Sequence, residues 1–371
     1  MKNLLLLPLC FALFTCHAQN KKIPTDNPLA TELDQLVQKE ASAYMQDPAR
    51  VGISIGVFKD GKSYFYNYGT TELGKSELPT SKSVYEIASI TKTFTGTLLA
   101  HALVDGKIKL DDDIRKYLTG NYPNLEFEKH PITIANLTNH SSGLPQFLPD
   151  QSETFKKPMD SVALILADFY KNYSKKKFYE DLHQAKVAFA PGTDYKYSNV
   201  GTQIAGDILE KVYHKSYESL LSEYITQPLK MNHTIIGTNS AKLLTGYNEK
   251  GKVMPRNITT IMAPAGGILS TTEDLVKYMQ YHLRENDQYV KTSHTPVVKS
   301  EEDQIGLYWR IHTYDETKTI FHTGGTFGFS SVLQMYPSKN MGVVILTNES
   351  DGESQGKLQD IADSILNSSK K

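Results

Sequence analysis

Ser89 and Lys92 stand three residues apart in the stretch YEIASITKTFTG, Tyr85 to Gly96. On a helix that spacing puts both side chains on one face. A serine hydroxyl is a poor nucleophile until a neighbour takes its proton. A lysine can take it only where burial or nearby positive charge lowers its pKa. The small and β-branched residues around the pair, and the apolar helical run after it, offer such a setting. The spacing alone is a weak signal. Ser174/Lys177, Ser354/Lys357 and Ser368/Lys371 repeat it, all in polar surroundings that suit solvated side chains.

Two further clusters could complete a site. Tyr197-Ser198-Asn199 lies in PGTDYKYSNVG just ahead of a helical pattern, and His322-Thr323-Gly324 lies in IFHTGGTFG at the end of a strand pattern. Taken singly, Tyr197 reads as a packed aromatic, Asn199 as a helix N-cap and His322 as a structural histidine. Beside a serine–lysine pair the three read as partners of a nucleophile. His140, in TNHSSGLP, reads as a structural or supporting residue. The other histidines show no spacing with carboxylates that suggests zinc, so neither a metal site nor a cofactor is expected.

These motifs, in this order, resemble those of the serine β-lactamase and penicillin-binding-protein superfamily, whose related set is S-x-x-K, S-D-N and K-T-G. Tyr-x-Asn in second place is similar to the class C β-lactamase branch, which includes DD-peptidases, esterases and D-amino-acid amidases. ITIANLTNHSSGLP, APAGGILSTTEDLVKYM and GLYW match that branch too, and the likeness runs from about Leu33 to Asn348. It implies that Ser89 attacks an acyl carbon and that Lys92 and Tyr197 handle its proton, either one being the primary base. As base, Tyr197 would need its free pKa of ~10 lowered by a cation. It implies Asn199, His322, Thr323 and Gly324 as substrate contacts, and the N–H groups of Ser89 and Gly325 as oxyanion donors. His322 departs from the β-lactamase pattern, which has lysine there. Histidine is mostly neutral above pH ~7, which lowers penicillin hydrolysis and raises peptide or ester substrates.

The elements that must position these residues are legible in outline. Thr31 to Tyr44 has helical apolar spacing. VGISIGVF, KDGK and SYFYNYG form a β-hairpin. From Ser89 to about Leu283 the patterns are mostly helical: Thr91–Val104, Asp160–Tyr170, Asn199–Tyr213, Tyr217–Ile225 and Thr272–Leu283. GLYWRIHT, KTIFHTGG, GFSSVLQMYP and GVVILTN then read as strands, and ESQGKLQDIADSILNSS as a closing helix. The expected fold class is α/β (α+β), β-lactamase/DD-peptidase-like. One antiparallel sheet joins both chain ends, terminal helices cover one face, and an inserted all-helical subdomain sits against the other. Its division is a sheet part from about 28–85 and 286–371 and a helical part from about 86–285, within a single domain spanning 19–371. A cleft between the parts would hold the site, with specificity in loops such as Gln146–Lys157 and Tyr247–Arg256.

At 371 residues, 39% hydrophobic and 22% charged, with formal charge −1, the chain is ordinary globular material. It gives no reason to expect nucleic acid or an anionic membrane as partner. MKNLLLLPLCFALFTCHAQN reads as a secretory signal peptide over residues 1–18, too short for a membrane span. Lipid attachment at Cys16 is the alternative. Both cysteines, Cys10 and Cys16, fall there, so the mature chain would have no disulfide and no thiolate nucleophile. The expected protein is secreted or periplasmic. It cleaves an amide or ester through a Ser89 acyl-enzyme, in D-Ala-D-Ala peptidase-like or esterase-like fashion. A class C-type β-lactamase and a non-hydrolytic binder of cell-wall peptide or penicillin are the alternatives.

Overall fold

The computed structural model describes residues 22–237, 240, 242–256, 261–299, 304–314 and 317–367. The signal-peptide and Cys16 expectations, and the Ser368/Lys371 pair, lie outside the described residues. The main sheet has eight strands: β1 (Gly52–Lys59), β2 (Lys62–Gly69), β3 (Val298–Lys299), β4 (Gln304–Ile305), β5 (Arg310–Tyr314), β6 (Thr317–Gly325), β7 (Ser330–Tyr336) and β8 (Met341–Thr347). They run in the order β2-β1-β8-β7-β6-β5-β4-β3. Every neighbouring pair is antiparallel. The N-terminal hairpin therefore joins the C-terminal strands through β1 and β8, with Ile55 opposite Ile345.

Both faces of this sheet are covered, so β1, β7 and β8 are buried almost throughout rather than alternating. On one face Ile53, Ile55, Val57, Val343 and Ile345 pack with helices α1 (Glu32–Met45) and α5 (Ser354–Asn367). Thr31 caps α1 in a capping box with Asp34. The other face meets the larger core built around helices α2 (Thr91–Val104), α3 (Asn199–Tyr213) and α4 (Thr272–His282). Helix α4, which falls within the stretch assigned above to the helical part, packs directly on the sheet. A Cβ at Gly56 would lie 2.7 Å from Val276 Cγ2, and one at Gly342 2.3 Å from Met279 Sδ. Bare backbone at these two strand positions lets α4 lie close.

One strand expectation is corrected. Gly306–Trp309 is a bend between β4 and β5. Leu307 N–H bonds to Ser293 O (2.9 Å), and Tyr308 N–H to Thr138 O (3.0 Å). Tyr308 has φ 65°, outside the β region. The backbone groups of this apolar run thus bond to helical segments rather than to a ladder. Among the described residues no helix is long and apolar enough to cross a membrane.

Candidate active site

The chain enters the site from the short strand Tyr85–Glu86, which pairs with Ile268–Ser270. Ala88 then takes φ 49°, a left-handed conformation that costs a non-glycine residue ~1–2 kcal/mol. This turn sets Ser89 in a 3₁₀ turn, Ala88–Ile90, that runs straight into α2. Lys92 follows one turn later and is completely buried. Its Nζ lies 3.1 Å from Ser89 Oγ, 2.8 Å from Asn199 Oδ1 and 2.7 Å from Ala265 O. Burial holds its pKa well below the ordinary lysine value, because no carboxylate is among these partners to favour the charged form.

Tyr197 reaches the same serine from the other side. Its hydroxyl donates to Ser89 Oγ at 2.7 Å, and Lys92 Nζ lies 4.8 Å from the ring centroid. Its phenol is pushed upward from its usual value, burial outweighing the bond to Ser89. Asn199 is the first residue of α3. The N-cap is Ser198, whose Oγ accepts from Gly201 N–H at 3.0 Å and donates to Pro145 O at 2.7 Å. The cap reading for Asn199 therefore belongs to its neighbour, and the Asn199 side chain is free to bind Lys92.

The third motif lies at the end of β6. Gly324 touches the serine turn: a Cβ there would sit 2.5 Å from Ile87 O and 3.0 Å from Ser89 N. Only glycine allows that approach. Ser331, opposite Gly324 on β7, donates to Ile87 O at 3.0 Å and ties the sheet to the same turn. Gly325 is exposed in the cleft. Thr323 is half-buried on the same strand. His322 is buried, with Nδ1 2.6 Å from Thr323 O, so Nδ1 carries the proton. Burial above all pushes its pKa down to about 3. His322 is therefore neutral at working pH, and the third motif presents no cation.

Ser89, Asn199 and Gly325 open into a cleft of about 820 Å³. Both loops named from sequence contribute walls, through Phe147 and Phe155 on one side and Asn248 and Met254 on the other. Sequence reasoning missed two participants, Ala265 and Gln355, and named His140 only as a structural or supporting residue. Ala265 O binds Lys92, although APAGG was noted as part of the resemblance. Gln355, at the start of α5, stands 2.5 Å from where a Gly325 Cβ would be; nothing in a polar helix start distinguishes it. His140 packs on Tyr197, ring centroids 4.4 Å apart. The described serine–lysine repeats do ordinary work: Ser174 caps a helix, and Ser354 is bound to Arg50 and Asp351. No group of three or more metal-ligating side chains gathers among the described residues.

A family model described as Beta-lactamase matches residues 37–366. A "Beta-lactamase" of Pseudomonas fluorescens is 27% identical over 86% of this chain and 94% of its own. The "D-alanyl-D-alanine-carboxypeptidase/endopeptidase AmpH" of Escherichia coli K12 is 27% identical over 92% of this chain and 91% of its own. Among solved structures, a class C β-lactamase superposes with a TM-score of 0.77 at 26% identity, covering 91% of this chain and 96% of that one. A β-lactamase/D-alanine carboxypeptidase from Yersinia pestis, complexed with citrate, gives 0.75 at 26% identity over 90% and 97%. Motif order, sheet topology and a match that spans the sheet at both chain ends agree: the chain belongs to the Beta-lactamase family and is a serine hydrolase.

Proposed function

We propose that Ser89 is the nucleophile of this hydrolase and that neutral Lys92 is the base that activates it. The observation that carries the reading is the set of three partners around Lys92 Nζ. A neutral amine has two N–H donors and one lone pair. Asn199 Oδ1 and Ala265 O accept the two donors, leaving the lone pair for the Ser89 hydroxyl at 3.1 Å. Tyr197 O–H donates to the same Oγ and orients it. In acylation the Oγ–carbon bond forms as the serine proton passes to Lys92. The N–H groups of Ser89 and Gly325 receive the developing oxyanion. Tyr197 delivers its proton to the leaving nitrogen or oxygen and is reprotonated at the expense of Lys92. Water then attacks the acyl carbon, gives its proton to the same base, and Ser89 leaves with a proton restored.

Two features bear on substrate. Neutral His322 gives a substrate carboxylate no charge partner at the third motif. The cleft wall carries Phe147, Phe155, Met159, Tyr170 and Met254. Phe155 and Met159 are 38% and 56% exposed there, a contact surface for apolar groups. These features favour amides or esters without an essential carboxylate, as in an esterase-like enzyme; a D-Ala-D-Ala peptidase-like activity rests instead on the likeness to the D-alanyl-D-alanine-carboxypeptidase relative. Hydrolysis of β-lactams is the second reading. It is favoured by the likeness to a class C β-lactamase solved in complex with cefoxitin, 26% identical with a TM-score of 0.77. Asn199, on the cleft wall, and Thr323 and Gly324, on the neighbouring strand, are the substrate contacts of this reading in either case. We place the mature enzyme outside the cytoplasm as a single domain from residue 19. Residues 1–18 are its signal peptide, and lipid attachment at Cys16 is the alternative.

The test is kcat/KM on p-nitrophenyl butyrate, a D-Ala-D-Ala peptide and nitrocefin. The ester should lead. Nitrocefin ahead by tenfold or more would reverse the ranking, and lasting covalent label without turnover of any substrate would make the protein a binder.

A further inference from the structure

Tyr197 is held from both flanks by one residue, His140. Lys196 N–H donates to His140 O at 2.8 Å, and Ser198 N–H donates to His140 Nδ1 at 3.2 Å. The N–H groups of the two residues on either side of Tyr197 are thus both tied to His140. The imidazole lies against the phenol ring between them, tilted by 35°. His140 itself is fixed. It is 4% exposed and takes φ 59°, which bends the chain so that its carbonyl and its ring both face the Tyr197 segment. The next residue is anchored by Ser141 N–H to Asn136 O, and Gly192 N–H bonds back to Ser141 O. Tyr308 packs at 5.5 Å on the ring.

We propose that His140 is a positioning residue for the acylation step: it binds the N–H groups of both residues flanking Tyr197 and thereby holds the phenol hydroxyl on Ser89 Oγ. The proposal rests on the reading of Tyr197 as proton carrier. The chemistry of the clamp requires Nδ1 to be an acceptor, so the ring proton sits on Nε2 and the imidazole is neutral. Burial keeps it so. No other ring could do both jobs. A phenyl side chain would keep the packing and leave the Ser198 N–H without its partner. An asparagine would supply an acceptor and tolerate the left-handed backbone. Misplacement of a reacting group by about 1 Å costs on the order of 10²-fold in rate, so a loosened clamp should cost ~10- to 100-fold.

The experiment is a double-mutant cycle on kcat with p-nitrophenyl butyrate. His140→Gly accepts the backbone conformation and removes both ring and acceptor. In the Tyr197 enzyme it should lower kcat ~10- to 100-fold, by the placement argument, with KM little changed. In the Tyr197→Phe background, where there is no hydroxyl left to place, it should cost less than about threefold. His140→Asn should recover most of the lost kcat. Equal losses in both backgrounds, or an asparagine variant as poor as glycine, would overturn the clamp. Should the glycine variant lack a cooperative melt, the same cycle with His140→Phe decides in the same way. A Tyr197→Phe single variant with wild-type kcat would instead refute the reading of Tyr197, and would be recognised as such.

Discussion

Replacing Lys92 by arginine separates a base from a mere cation. Lys92 is completely buried and meets three oxygen partners. Arginine brings five donors, a larger head and a charge it cannot give up. It has no lone pair to receive the Ser89 proton. Loss of a general base removes ~10²- to 10⁴-fold in rate, or about 3–5 kcal/mol of transition-state stabilisation. Overpacking adds ~1–3 kcal/mol of lost stability, so a thermal melt must accompany the kinetics. The assay is kcat against pH for p-nitrophenyl butyrate. In the wild type, protonation of Lys92 destroys the lone pair, so activity should be lost as pH falls through its lowered pKa. Above that point the rate should be level. Were Tyr197 the base, its raised pKa would make the rate climb only in strong alkali. A folded Lys92→Arg variant within tenfold of wild-type kcat, or a wild-type profile rising only above pH ~10, would refute the assignment.

Two predictions concern the scaffold. A Cβ at Gly96 on the nucleophile helix would lie 2.1 Å from Leu307 O. Gly96→Ala should therefore destabilise the fold by ~1–3 kcal/mol, more than offsetting the ~1 kcal/mol helix-propensity gain; a variant with unchanged urea midpoint would show that the contact is not a constraint. Glu349 is buried beside Arg50 at 3.7 Å, while Asp351 and Asp47 lie nearer that guanidinium at 2.8 and 3.2 Å. With the Arg50 charge already matched, burial raises the Glu349 carboxyl to about 7. A raised carboxyl stabilises the fold below its unfolded pKa and loses that contribution as pH rises through about 7. Glu349→Gln removes this dependence, so relative to wild type it should gain up to ~3 kcal/mol between pH 5 and 8; denaturation curves at the two pH values should converge on no gain if Arg50 instead holds Glu349 ionised.

What the sequence disclosed follows how local each signal is. Helices α2 and α3 begin and end where the local patterns place them, although the cap of α3 falls on Ser198 and not on Asn199. The hairpin and the long C-terminal strands were legible for the same reason. GLYW was misread as strand, since its apolar residues are buried by α2 and neighbouring helices while its backbone bonds elsewhere. The strands Tyr85–Glu86 and Ile235–Ile236 are too short to carry any period. The residue types of the site could be named, but not its electrostatics. That Lys92 is lowered, Tyr197 raised and His322 neutral depends on burial created by segments hundreds of residues away. The bond from Lys92 to Ala265 O and the clamp by His140 are likewise tertiary. A carbonyl has no signature, and TNHSSGLP marks His140 as structural or supporting without naming the segment it supports.

The central claim is that hydrolysis passes through an ester of Ser89. It is tested most directly by acid-quenching a p-nitrophenyl butyrate reaction during steady-state turnover and mapping the acylated residue by peptide mass spectrometry. One butyryl group is expected on Ser89, present during turnover, gone when substrate is exhausted, and absent from Ser89→Ala. An acyl group on another residue, or a Ser89→Ala variant that turns over the ester at the wild-type rate, would contradict it.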